Sequence, residues 1–203
     1  MNTANYLTLL RILLGPIFLI IYKEHTFFGI DLIALPYVLL ILLGLAELSD
    51  ICDGYFARKY NEVTDIGKIL DPMVDSIYRI SIFLTFTIPP INLPMWVVFV
   101  FFYRDSVISI LRIMCALKGM ALAARPSGKV KAIMQGIAIN AISFLLIPYS
   151  LNILALKHLQ NISYFIALTT AIYTVFSGLD YILAHRAHLA ELFGKVKPRE
   201  TTF

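Results

Sequence analysis

The chain has 203 residues, 59% of them apolar and only 15% charged, with a formal net charge of +4 and a mean hydropathy of +0.80. A soluble domain averages about 45–50% apolar and about 25% charged residues, so the composition excludes an ordinary water-soluble globule, and no nucleic-acid partner is expected. Two cysteines, Cys52 and Cys115, are too few for a disulfide framework and read as small apolar filler.

Six apolar runs follow one another, at 6–22, 33–52, 69–88, 94–117, 130–154 and 162–185. Each approaches the roughly 20 residues a helix needs to cross a bilayer. The expected fold is all-α: a polytopic membrane protein with six transmembrane helices, one domain over 1–203, and a polar basic tail from 185 to 203. The first run lacks a basic leader and a small-residue cleavage site, so it reads as a retained span. Twelve Lys and Arg fall on one side (Arg58, Lys59, Lys68, Arg112, Lys118, Arg125, Lys129, Lys131, Arg186, Lys195, Lys197, Arg199) and two, Lys23 and Lys157, on the other. That asymmetry places the richer side, with both termini, in the cytoplasm.

In chain order, Asn5, Thr8 and Arg11 share one side of the first helix. They could cap the helix and anchor it at the interface, or face a polar ligand. The second helix is expected to continue to about residue 60, with Glu47, Asp50 and Asp53 stepping along one face and Gly54 and Ala57 allowing close approach of a bulky ligand. Arg58 suits a phosphate oxygen, and Glu47 has no assigned role. The segment 61–65 reverses the chain, so that Asp71 and Asp75, one turn apart, face Asp50 and Asp53; Asp65 caps the third helix and Pro72 bends it.

The fourth run carries Arg104, Asp105 and Arg112, and ionisable groups within a span are expensive. They read either as an internal ion pair or as part of a site. Pro126, Ser127 and Gly128 are expected to precede the fifth helix, whose first N–H groups, with Lys129 and Lys131, suit an anion. Gln135, Asn140 and Asn152 read as interhelical hydrogen-bonding groups. Asp180 could cap its helix or pair with a basic neighbour, and His185 and His188 belong to a solvated tail.

Four carboxylates in two pairs, at 50, 53, 71 and 75, call for positive charge, and two divalent metal ions answer that demand. Oxygen-only ligands favour Mg²⁺ or Mn²⁺. Such a pair can clamp a pyrophosphate and neutralise a leaving phosphate. With a basic pocket on the fourth and fifth helices and a membrane setting, the residues point to metal-dependent phosphoryl-group transfer on a lipid. A transporter is the rival class, but the acids gather at one face instead of forming a relay through the bundle.

The 50–75 stretch resembles the signature of the CDP-alcohol phosphatidyltransferase family, D-x2-D-G-x2-A-R-x8-G-x3-D-x3-D, with Asp50, Asp53, Gly54, Ala57, Arg58, Gly67, Asp71 and Asp75 at its fixed positions. The resemblance implies that Asp50, Asp53 and Asp71 bind one metal and that Asp50, Asp71 and Asp75 bind the other. Asp75 would also be the general base. Asn5, Thr8, Gly54, Ala57, Arg58, Thr64 and Gly67 would form the CDP pocket. An acceptor hydroxyl would attack the β-phosphorus of CDP-diacylglycerol, and CMP would leave.

Arg104, Arg112, Lys129 and Lys131 supply more positive charge than a zwitterionic acceptor needs. Together with the surrounding motifs they look most like the phosphatidylglycerophosphate synthase branch, which implies glycerol 3-phosphate as acceptor; inositol phosphate is the nearest alternative. One departure is Ser76, where many of that branch carry lysine; Arg79, a turn later, is a possible substitute. The resemblance further implies a homodimer in the bacterial cytoplasmic membrane, with the active site facing the cytoplasm.

Overall fold

The computed structural model describes residues 3–59, 65–117, 125–186, 189 and 194, and the side chains among them of 11–49, 71–117, 125–186, 189 and 194. Six helices account for nearly all of it: α1 (Thr3–Glu24), α2 (Leu35–Lys59), α3 (Asp65–Thr85), α4 (Met95–Leu117), α5 (Pro126–Ser150) and α6 (Leu156–Ala184). No strand occurs among the described residues, so the all-α expectation agrees with what is seen.

The helices form a closed ring. α1 packs on α2 and α3, α3 on α4, α4 on α6, α6 on α5, and α5 on α2, while α3 also touches α5 across the middle. Among the described residues α2 and α3 each pack on α1, and Glu47 of α2 and Asp75 and Arg79 of α3 line one groove. The expected facing of Asp50 and Asp53 by Asp71 and Asp75 involves the side chains of 50 and 53, which lie outside the described residues. Gly15 explains how closely α1 seats on α3: a Cβ there would lie 2.8 Å from the Ser81 Cβ.

The bundle has two ends of different chemistry. At one end the turns are short and tied down. The Tyr22 hydroxyl donates to the Ile88 carbonyl at 3.2 Å, and the Gln160 amide donates to the Pro90 carbonyl at 3.0 Å. Its connections turn through left-handed residues, Gly29 (φ 67°), Asn92 (φ 56°) and Asn152 (φ 58°); glycine pays no Cβ penalty there and asparagine tolerates it. Asn152 thus shapes a turn instead of bridging helices. Beneath the turns lies the main core, including Phe18, Leu39, Ile82, Phe83, Phe86, Phe101 and Ile142, with Phe83 and Phe101 ring centroids 4.5 Å apart.

At the other end the same helices change character. α3 carries Asp71, Asp75 and Arg79 toward this end and buries Ile82 and Phe83 toward the other; α4 is apolar through Phe101 and then meets Arg104, Asp105 and Arg112. A small second cluster of Ile108, Leu111, Cys115, Tyr181 and Leu189 closes this end. Cys115 is buried and free, as expected of filler; Cys52 lies outside the described side chains.

Several local expectations need correction. α5 starts at Pro126, so Pro126, Ser127 and Gly128 form its first turn instead of preceding it. Proline is favoured there because its missing N–H would have had no helical partner. Asn140 donates to the Gly136 carbonyl of its own helix at 3.0 Å, and neither amide atom of the fully buried Gln135 finds a partner among the described residues.

Candidate active site

α3 presents Asp71 and Asp75 one turn apart, and both line a cavity of about 300 Å³ between α3, α4 and α5. The cavity wall also holds six basic side chains: Arg79, Arg104, Arg112, Arg125, Lys129 and Lys131. Against them stand three carboxylates, those of Asp71, Asp75 and Asp105. The lining is therefore net positive and suited to an anion. All four cations expected to bind an acceptor phosphate reach this one cavity; Arg125 and Arg79 join them.

These cations are not equivalent. Lys131 and Asp105 are buried, and the ammonium lies 2.7 Å from both carboxylate oxygens. Arg104 donates to the same carboxylate at 3.0 Å and, through its other terminal nitrogen, to the Ser177 hydroxyl at 2.7 Å. The internal pair that the sequence left open is formed, and Lys131 makes it a triad. Breaking such a pair strands a charge, so all three side chains are held in place. Gly178 makes room for the arginine: a Cβ there would lie 3.1 Å from Arg104 Cγ. Arg112 sits 5.5 Å from the centroid of the Tyr181 ring, a cation–π contact, and its Nε lies 3.4 Å from the Tyr181 hydroxyl.

At the mouth, Arg125 forks onto Asp180 at 2.9 and 3.1 Å, and Ser127 donates to the same carboxylate at 2.5 Å. This ties the first turn of α5 to the end of α6 and fixes where Lys129 emerges. Lys129 itself is exposed. Arg11, buried on α1, pairs with Asp75. The pairing anchors the carboxylate from a helix that the sequence placed near the site only through its polar stripe.

A second and larger space adjoins the first. A groove of about 980 Å³ runs along α2, α5 and α6, lined mainly by apolar residues such as Leu40, Ile133, Ile137, Phe144 and Ile166. Glu47, whose role the sequence left unassigned, lines it too. Asp75, Arg79 and Ala132 belong to both spaces.

Asn5, Thr8, Asp50, Asp53, Gly54, Ala57, Arg58 and Gly67 lie on helical backbone, but their side chains are outside the described residues, and Thr64 is outside them altogether. Among the described residues no group of three or more His, Cys, Asp or Glu could hold a metal ion. What is described fits a hard divalent ion: Asp71 and Asp75 offer oxygen donors from successive turns of one helix to one cavity.

Arg125, Ser177 and Asp180 were not singled out as site residues by sequence, and Arg11, Asp105 and Ser127 were read only as one of two alternatives or as part of a helix start. Each has a partner far along the chain, 26 to 73 residues away, and apart from the adjacent Arg104–Asp105 pair no short motif records these pairings. Asp180 gave the clearest signal, an acid near the end of an apolar helix.

The CDP-alcohol phosphatidyltransferase sequence pattern matches residues 1–176. A CDP-diacylglycerol–glycerol-3-phosphate 3-phosphatidyltransferase of Bacillus subtilis (strain 168) is 35% identical over 187 residues, covering 89% of this chain and 93% of the relative. The protein of the same name from Rickettsia felis (strain ATCC VR-1525 / URRWXCal2) is 30% identical over 183 residues, 90% of this chain and 94% of the relative. A probable phosphatidylglycerophosphate synthase of Mycobacterium tuberculosis (strain ATCC 25618 / H37Rv) is 29% identical over 182 residues, 89% of this chain and 80% of the relative. The family is generally divalent-metal dependent. Its membrane character, and the length and apolarity of α5 and α6, point to a membrane protein. With the family pattern matched over most of its length and a relative aligned nearly end to end, this chain belongs to the CDP-alcohol phosphatidyltransferase family.

Proposed function

We propose that the protein makes phosphatidylglycerophosphate by transferring the phosphatidyl group of CDP-diacylglycerol to glycerol 3-phosphate, with release of CMP. The observation that carries this reading is the junction of two unlike spaces, a net-positive cavity and an apolar groove, with Asp75 in the wall of both. The groove suits acyl chains and the cavity suits a small phosphorylated alcohol. The names of the relatives agree with that pair of substrates.

Asp75, held by Arg11, takes the proton from the acceptor hydroxyl. The hydroxyl oxygen forms a bond to the β-phosphorus, the bond from that phosphorus to the bridging oxygen breaks, and CMP departs with the electron pair. Arg104, Arg112, Lys129 and Lys131 hold the acceptor's phosphate. Two Mg²⁺ or Mn²⁺ ions, held by Asp50, Asp53 and Asp71 and by Asp50, Asp71 and Asp75, would supply charge neutralisation at the pyrophosphate. Asn5, Thr8, Gly54, Ala57, Arg58, Thr64 and Gly67 form the nucleotide pocket in this reading.

All six helices cross the bilayer in this reading, as one domain over 1–203 with both termini and the site at the cytoplasmic face, in a homodimer of the bacterial cytoplasmic membrane. Support comes from the large apolar side chains exposed on every helix, Leu13, Ile41, Leu84, Phe102, Phe144 and Phe176 among them. So much exposed apolar surface needs a nonaqueous partner. Lys and Arg concentrate at the carboxylate end.

Purified protein with Mg²⁺ or Mn²⁺ is expected to release CMP from CDP-diacylglycerol when glycerol 3-phosphate is added, and much less with inositol phosphate or serine. Release with inositol phosphate alone would reassign the acceptor, and no release with any of the three would end the enzymatic reading.

A further inference from the structure

Arg79 stands apart from the other cations of the cavity. Arg104 and Lys131 are bonded to Asp105, Arg125 is bonded to Asp180, and Arg112 lies against Tyr181. Lys129 is exposed to solvent. Arg79 makes no ion pair among the described residues, and its Nε, like that of Arg104, is buried without a hydrogen-bond partner among them. A buried N–H left unsatisfied is costly, and the cost is greater on a charged group. Arg79 also lies one turn beyond Asp75 on α3, and both side chains line the cavity and the groove.

We propose that Arg79 binds the phosphoryl group under transfer, at the point where the apolar groove meets the cationic cavity. The inference rests on the reaction proposed above. A molecule with acyl chains in the groove and its acceptor portion in the cavity is joined at one atom, the phosphorus, and that atom must sit at the wall the two spaces share. Ala132 offers no charge there, and Asp75 is occupied with the proton. A guanidinium presents parallel N–H groups that fit two oxygens of one phosphate. Contact with the reacting phosphoryl group makes Arg79 a catalytic residue, distinct from the cations that hold the acceptor's own phosphate.

The test compares the full-length wild type with Arg79→Gln and Arg79→Lys, in detergent or nanodiscs, in two measurements. In the first, Arg79→Gln is expected to lower kcat by about 100-fold, in the range for loss of one donor to a developing oxyanion. KM for glycerol 3-phosphate should change less than about twofold, because ground-state binding of the acceptor is untouched. Arg79→Lys keeps the charge without the fork and should fall between. A raised KM at unchanged kcat would move Arg79 to the acceptor's phosphate and overturn the proposal, as would unchanged kinetics.

The second measurement needs no turnover. Thermal stabilisation by phosphatidic acid is compared with that by diacylglycerol of the same acyl chains. Wild type and Arg79→Lys should prefer the phosphorylated lipid, and Arg79→Gln should lose that preference. A preference that survives in Arg79→Gln overturns the proposal even if the acceptor alcohol proves to be a different one. If wild type releases no CMP while the lipid preference depends on Arg79, the fault lies with the proposed reaction and not with this residue.

Discussion

The two ends of the bundle solve opposite problems with the same six helices. At the far end, Phe18, Phe83, Phe86 and Phe101 meet in edge-on and tilted contacts, and the turns above them are held by hydrogen bonds from Tyr22 and Gln160. At the site end, buried and half-buried charges hold one another through Asp105 and Asp180. Apolar packing is insensitive to which partner supplies a given contact, so the far end can be stable without being specific. A charge network is the reverse. It contributes little net stability, because desolvation offsets attraction, but its geometry is demanding. The division suggests that stability resides at one end and chemistry at the other, and substitutions can test how cleanly the two separate.

The largest effect should come from Asp75→Asn, which keeps the shape and removes the base. Turnover is expected to fall by about 10³-fold, within the range for general-base catalysis, while CDP-diacylglycerol binding largely survives; thermal stability should fall too, because the buried Arg11 loses its carboxylate partner. CMP release and equilibrium lipid binding on the same preparation measure both sides. Wild-type rates in this variant would remove Asp75 from the chemistry. At the opposite end, Phe86→Ala should cost about 3 kcal/mol of stability by leaving a cavity among its ring neighbours. The kcat of the protein that remains folded should be unchanged. A large drop in kcat for Phe86→Ala would show that the ends are mechanically coupled and break the division.

The contrast also explains what could be read from sequence. The far end was legible because helix existence follows from apolar length alone, and six runs became six helices. The fixed-spacing acids on α3 were legible for the same local reason: Asp71 and Asp75 are neighbours by helical periodicity. Arg104 and Arg112 stood out because charge in an apolar run is conspicuous, and Lys129 and Lys131 because they flank the expected start of a helix; all four line one cavity. Their pairing did not stand out, since Lys131 joins Asp105 from another helix and the choice is made by packing. The start of α5 was misplaced because the expectation followed hydropathy, whereas the helix begins on the backbone preference of Pro126. The α1–α3 contact was hidden for a similar reason. Gly15 permits it by lacking a side chain, and a missing atom leaves no periodic signal.

A smaller effect is expected where the site end ties itself together. Asp180 holds both Arg125 and Ser127, so Asp180→Asn should loosen the first turn of α5 without removing any cation from the cavity. KM for glycerol 3-phosphate should rise about threefold, in keeping with the modest worth of a partly solvated pair, with kcat unchanged. Higher salt should narrow the difference between variant and wild type, since screening weakens the wild-type pair. A loss of kcat instead would mean that the tie reaches the reacting atoms.

Gly178→Ala should have the smallest effect and asks the finest question, whether the charge network tolerates any displacement at all. The added methyl would lie 3.1 Å from Arg104 Cγ, tighter than ordinary van der Waals contact. The stem can yield by a few tenths of an ångström only if the guanidinium moves with it, and that head is fixed at both terminal nitrogens by Asp105 and Ser177. An apolar core would absorb so small a shift at little cost. A network fixed by hydrogen bonds, whose strength falls steeply with angle, should not. The expected outcome is a KM for glycerol 3-phosphate raised about twofold at constant melting temperature, measured against Gly44→Ala, where an added Cβ meets nothing within 4 Å. If Gly178→Ala behaves like Gly44→Ala, the site end is as forgiving as the far end, and its charges bind the acceptor by field rather than by position.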